Sequence, residues 1–278
     1  MPVKAPGQIR KWTCHKLESF SEFIDSYSRT TRKADYCFLE LFTGFGTNPC
    51  NGVDCSLEGT PLRALKSSAN FLRYAFLTQN HSDAAELENL LSTSNQVDKV
   101  AILTGNPNSE KSILHLFDNI PRSASALVFI DPKGYRRLHW ATLERLTSHG
   151  RNWQGNKFDL LFIFPLEMAL ARNLMRADCA KSITRFYGSQ EWEEIKRQKL
   201  VNKIKSVEIK QRLIELFKNG LSNLGYRFVE DYKPASPTHD PYYHIIYASD
   251  KTARLRNIKD AWGKARFLRC ELLYNIKT

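Results

Sequence analysis

The chain has 278 residues, 42% of them hydrophobic and 25% charged, which is apolar material enough for a full core and argues against global disorder. Its net charge of +12 is unevenly placed: residues 1–170 hold 19 Lys and Arg against 17 Asp and Glu, whereas residues 171–278 hold 22 against 12, an asymmetry expected of a surface that faces a polyanion. No stretch approaches the roughly 20 apolar residues of a membrane helix, and residues 1–16 lack the apolar core of a secretory signal, so the expectation is a cytoplasmic protein without a membrane span.

In chain order, a helix is expected at 19–28 within an N-terminal lead-in, 1–35. Apolar runs follow at 36–42, 72–78, 99–104, 126–131 and 158–164. They are rich in Phe, Val, Ile and Leu without polar alternation, the pattern of parallel strands buried on both faces. Helical patterns at 61–68, 82–91, 109–119 and 138–148 lie between them. This alternation predicts an α/β, doubly wound, Rossmann-like sheet over 36–165.

Residues 166–224 read differently, as a basic helical insertion. A helix is expected at 166–177, then a long one over 189–221. In the latter, Leu200, Ile204, Val207, Ile214, Phe217 and Leu221 keep helical spacing among interspersed Lys and Arg. The last segment, 225–278, reads as an edge strand pair, 226–231 and 242–248, followed by a basic helix over 251–276. The six cysteines, at 14, 37, 50, 55, 179 and 270, complete no zinc pattern. They are expected to be unpaired thiols of a reducing compartment, with no metal site.

The strongest local signal for chemistry is Phe38-Leu39-Glu40-Leu41-Phe42-Thr43-Gly44-Phe45-Gly46, an apolar strand that runs into a Gly-x-Gly turn. Glycine permits positive φ and a close backbone approach to a ligand. The C-terminal end of a strand is where open α/β sheets bind. Glu40, near the strand end, is a candidate acceptor for a cationic amino group. A dinucleotide fingerprint would need glycine at position 49, which is Pro49, and no Gly-Lys-Ser/Thr of a P-loop follows.

Together, CFLELFTGFG (37–46), EGTPLRAL (58–65), ALVFIDPKG (126–134) and FDLLFIFP (158–165) resemble the three-Cys-motif partner (TcmP) proteins. These are methyltransferase-like proteins named for a presumed partner that carries a three-cysteine motif. The likeness runs from about residue 16 to 247. It implies the seven-stranded methyltransferase sheet, S-adenosylmethionine as cofactor and a protein partner with three cysteines. Glu40, Phe42, Thr43, Gly44 and Gly46 then fall at the methionine end of the cofactor.

The chain departs from the family pattern at two places. After the second strand stand Thr78-Gln79-Asn80 instead of a carboxylate for the ribose hydroxyls. After the third, Gly105-Asn106 replaces Gly-Asp. Thr78 and Asn106 are the candidate adenosine contacts, and an amide can both donate and accept. Two missing carboxylates weaken binding, because charge-assisted hydrogen bonds are roughly twice as strong as neutral ones.

After the fourth strand comes Asp131-Pro132-Lys133-Gly134-Tyr135. It is similar to the Asp/Asn-Pro-Pro-aromatic motif of amino-group methyltransferases that act on nucleic acids. Asp131 and Pro132 are therefore the catalytic candidates. Lys133 stands at a proline's place and Tyr135 one residue late. Lys196, Arg197, Lys199 and Lys203, with Lys133, are the candidate phosphate contacts. Trp192 and Trp262 accompany such cations and suit either base stacking or a core. Two functions are open: a methyltransferase acting on RNA or DNA, or a catalytically degenerate module that binds nucleic acid or a protein.

Overall fold

The structure, a computed structural model, describes residues 11–31, 36–44, 46–49, 56–166, 170–233 and 243–251. Seven strands form the main sheet: β1 Tyr36–Leu41, β2 Arg73–Thr78, β3 Val100–Thr104, β4 Ser125–Ile130, β5 Asp159–Phe164, β6 Phe228–Tyr232 and β7 His244–Ser249. Their spatial order is β3-β2-β1-β4-β5-β7-β6. Pairing is parallel from β3 through β5, and β7 runs antiparallel to both β5 and β6. The two late strands thus form the expected antiparallel pair, but β7 is interior and only β6 is at the edge. A separate short hairpin, Thr47–Pro49 with Ser56–Glu58, follows β1.

The unbroken apolar runs have the cause the sequence suggested. In β1, Tyr36 and Phe38 enter one core cluster, while Cys37, Leu39 and Leu41 enter another on the opposite face. The same period of two sorts β4 and β5, so both faces need apolar side chains. On the first face lies α1, Lys11–Thr31. Its buried Phe20, Phe23, Ile24 and Tyr27 repeat at helical spacing, and Phe20 and Phe23 pack on Phe129 and Tyr247 at ring-centroid distances of 4.8 and 5.7 Å. Helices α2 Thr60–Lys66 and α3 His81–Leu91 share that face. The other face carries α4 Glu110–Asp118, α5 Trp140–His149, α6 Ala180–Tyr187, α7 Trp192–Leu200 and α8 Ser206–Asn223.

Three expectations need correction. The basic helix over 189–221 is two helices. Asn202 adopts a left-handed φ of 51° between α7 and α8, and the turn leaves Leu200 and Val207 60% and 77% exposed instead of in the core. The helix expected over 166–177 is found in its first part only. Leu166 and Leu170 lie in π-helical backbone that passes into the α-turn Ala171–Asn173; the helix stops there, and a separate 3-10 turn, Ala177–Cys179, follows, with Leu166, Leu170 and Leu174 buried at spacings of four. Cys14 is disulfide-bonded, so the expectation of unpaired thiols throughout fails there, whereas Cys37 and Cys179 are free and buried. Spacing along a chain does not say which cysteines a fold brings together. The expected helix at 251–276 and Trp262 lie outside the described residues.

Candidate active site

The sheet order reverses between β1 and β4, and their parallel register pairs Leu41 with Ile130. Phe42 and Asp131, the next residues, therefore leave the sheet side by side. A cavity of about 400 Å³ opens at this point, where open α/β sheets bind their ligands. Glu40, Phe42, Gly44, Asp131, Pro132 and Lys133 line it together, joined by Lys16 and Leu17 of α1, Thr60 of α2, and Tyr243 before β7.

Glu40 is the unusual group. It is only 3% exposed. Its Oε1 accepts a 2.6 Å hydrogen bond from Thr60 Oγ1, while Oε2 is buried with no partner. Burial pushes the carboxyl up from 4.5 to about 8. The Thr60 bond lowers it, the negative Asp131 raises it, and the positive Lys16 lowers it. A buried acceptor without a partner costs roughly 1–3 kcal/mol, and this one sits in a cavity wall. Such an atom fits a ligand that brings a cationic donor. On the same wall Asp131 is ion-paired with Lys16 Nζ and remains 21% exposed, within reach of solvent.

The turn after β1 works differently from the expectation. Neither glycine takes the positive φ; Phe42 does, at 63°. A bulky residue in that region is strained, and such strain gathers at ligand sites. The glycines serve space instead. A Cβ on Gly46 would meet Leu90 Cδ1 at 2.7 Å and Leu87 Cδ1 at 3.1 Å, so its hydrogen is a packing requirement of α3. A Cβ on Gly44 would meet nothing within 4 Å. Among the described residues nothing requires Gly44 to be bare, and it lines the cavity.

The remaining predicted residues lie elsewhere. Thr43 is buried, its N–H donating to Leu77 O and its Oγ1 to Glu40 O. Thr78 is wholly buried, and its Oγ1 accepts from the Asn80 N–H. Asn106 is exposed, and its Oδ1 accepts from the Asn108 N–H. Neither Thr78 nor Asn106 lines the cavity. Lys196, Arg197 and Lys199 sit on α7 and Lys203 in the turn beyond it. Arg197 is paired with Glu194, and Lys196 lies 5.9 Å from the Trp192 ring. Trp192 is 1% exposed and donates to Thr184 Oγ1, so it is a core residue and unavailable for base stacking. Tyr135 is likewise buried, edge-on to Phe186.

Sequence reasoning missed Lys16, Thr60 and Tyr243, which reach the cavity from remote parts of the chain. It also missed Asn108, which ties the loop after β3 to the loop after β4. Asn108 Oδ1 accepts from the His139 N–H and from Thr142 Oγ1, and its Nδ2 donates to Arg137 O.

No protein-family model and no curated protein matches the chain. Among solved structures, protein LPL1258 from Legionella pneumophila is similar at a TM-score of 0.52 and 11% identity, covering 90% of each chain. The likeness is one of fold: a Rossmann-like α/β sheet of seven strands with helices on both faces. An O-methyltransferase from Bacillus cereus, solved with S-adenosylhomocysteine, has a TM-score of 0.44 at 13% identity over 84% of this chain and 80% of that one. The O-methyltransferase TomG from Streptomyces achromogenes, solved with S-adenosylmethionine, also scores 0.44, at 11% identity over 89% and 93%. Among the described residues, no helix is long and apolar enough to cross a membrane, and no group of His, Cys, Asp and Glu could hold a metal ion.

Proposed function

We propose that this methyltransferase-fold chain transfers a methyl group from S-adenosylmethionine to a nucleic acid. The observation that carries the reading is the switch-point cavity, which unites the unpartnered Glu40 Oε2, the open Gly44 turn and the solvent-reachable Asp131-Pro132. S-adenosylmethionine, when bound, supplies an electrophilic sulfonium methyl. The chain's own work is then positioning and exclusion of water. Glu40 accepts from the ligand ammonium at Oε2, and Gly44 leaves the room its backbone contact needs. Asp131 accepts a hydrogen from the acceptor amine and orients it. Phe42, Ile163 and Tyr243 give the cavity apolar walls.

The nucleic-acid part of the reading rests on charge. Lys133 stands at the cavity, and Lys196, Arg197, Lys199 and Lys203 supply further cations for phosphates. The resemblance to the three-Cys-motif partner proteins adds a protein partner with three cysteines. Calorimetric titration with S-adenosylmethionine and S-adenosylhomocysteine tests the cofactor. Binding of both is expected, and no heat from either at millimolar ligand would refute the enzyme reading.

A second reading, a degenerate module that binds nucleic acid or a protein, is favoured by one observation. Neither Thr78 nor Asn106 brings a carboxylate to the adenosine side, and neither lines the cavity. Its signature is nucleic-acid binding at low salt by a protein that takes up neither cofactor form.

A further inference from the structure

The cavity wall carries two opposite charges whose joint purpose the reading above leaves unassigned. Lys16 comes from α1, 115 residues before Asp131 in sequence, and its Nζ forms the ion pair with that carboxylate. The Lys16 side chain is 13% exposed. It also acts electrostatically on Glu40, as does Asp131. The cavity lining therefore offers both a buried carboxyl oxygen without a partner and a mostly buried ammonium. The geometry points to Lys16 as the anchor for the carboxylate of an amino-acid-bearing ligand whose ammonium Glu40 takes. This deepens the methyltransferase reading and rests on it.

Charge complementarity supports the assignment. An α-amino acid end is a zwitterion, and a low-dielectric pocket accepts it only if both charges are met, because a buried unpaired charge is costly. Glu40 alone serves only the amine, and Asp131 without its ion-pair partner would reject the neighbouring carboxylate. Lys16 supplies the opposite charge at that place. Its pairing with Asp131 gives it a second role: as the ligand carboxylate draws Nζ, Asp131 is released toward the acceptor. Lys16 is a positioning residue in that second role. It touches ligand in the first.

The test compares S-adenosylmethionine with decarboxylated S-adenosylmethionine, which keeps the sulfonium and the ammonium but lacks the carboxylate. Calorimetry on the full chain gives the ratio of the two dissociation constants. In the wild type the carboxylate-bearing ligand is expected to bind at least ~10-fold tighter, as a charge-assisted contact worth ~1.4 kcal/mol requires. Lys16→Met should bring the ratio close to one, Lys16→Gln, a second removal variant, should do the same, and Lys16→Arg should retain most of it. A loss that acted through Glu40 would weaken both ligands alike and leave the ratio untouched. Lys16→Met combined with Asp131→Asn removes the repulsion that a bare Asp131 would exert, and the ratio should stay near one.

A wild-type ratio near one, or a ratio unchanged in the Lys16 removal variants, would overturn the assignment while leaving the cofactor reading standing. Recovery of the ratio in the double variant would also overturn it, since Lys16 would then only screen Asp131. Failure of the wild type to bind either ligand would refute the cofactor reading itself.

Discussion

Glu40→Gln tests the electrostatics of the cavity without any ligand. The native carboxyl titrates at about 8 against 4.5 for an ordinary one, with burial as the leading cause. Between those values the native state holds a proton that the unfolded chain has released. Stability from this group is therefore fully present below pH 4.5 and is lost as pH rises through 8. From pH 5 to pH 9 the affected interval is 3 units, and at 1.36 kcal/mol per unit the loss is about 4 kcal/mol. Glutamine keeps the acceptor for Thr60 Oγ1 and places an uncharged amide where Oε2 stands.

Urea denaturation of both proteins at pH 5, 7 and 9, followed by circular dichroism, gives the difference directly. Buried Asp159, raised to about 6 by desolvation, titrates in both proteins, so its contribution cancels. Glu40→Gln should gain on the wild type by about 4 kcal/mol between pH 5 and 9. A difference that stays constant within about 1 kcal/mol would refute the reasoning, because the carboxyl would then be no more desolvated when folded than when unfolded.

Asp131→Ala should abolish methyl transfer while leaving far-UV circular dichroism and cofactor affinity within about threefold of wild type; loss of the fold would make its role structural. Replacing Lys196, Arg197, Lys199 and Lys203 together by Ala should weaken RNA or DNA binding and reduce the salt slope by about one per lost phosphate contact, as read by fluorescence anisotropy from low to moderate salt; an unchanged slope would put the nucleic acid elsewhere. Gly44→Ala should leave stability unchanged and weaken cofactor binding. Gly46→Ala should cost about 1–2 kcal/mol, because its Cβ must displace Leu87 and Leu90. Equal melting temperatures for these two variants would contradict the division of labour between the glycines.

The sheet was legible in the sequence for a local reason. Each parallel strand is buried on both faces, so β1, β2, β4 and β5 announce themselves as apolar runs without polar alternation. Their ends could be read too, because Gly-x-Gly and Asp-Pro are turn residues that cannot continue a strand into a core. That placed Glu40, Gly44 and Asp131 near one crevice before any geometry was known. The α7–α8 break was not legible, because Leu200, Ile204 and Val207 keep a helical period whether or not they reach the core, and only the turn at Asn202 sends two of them to solvent.

What tertiary structure alone decided is the charge inside the cavity. Lys16, Thr60 and Tyr243 have no motif and lie on elements far from Asp131 in the chain. They meet because α1 buries its aromatic stripe on the sheet, α2 follows the hairpin after β1, and β7 slots beside β5. The turn chemistry was also decided there. Packing of Gly46 on α3 and the left-handed Phe42 depend on neighbours that the local sequence does not contain. Hydrophobic periodicity reports which side of an element faces inward. The partner of a buried charge is fixed only when remote elements dock, and the ion pair of Lys16 with Asp131 beside an unpartnered Glu40 oxygen is a consequence of that docking.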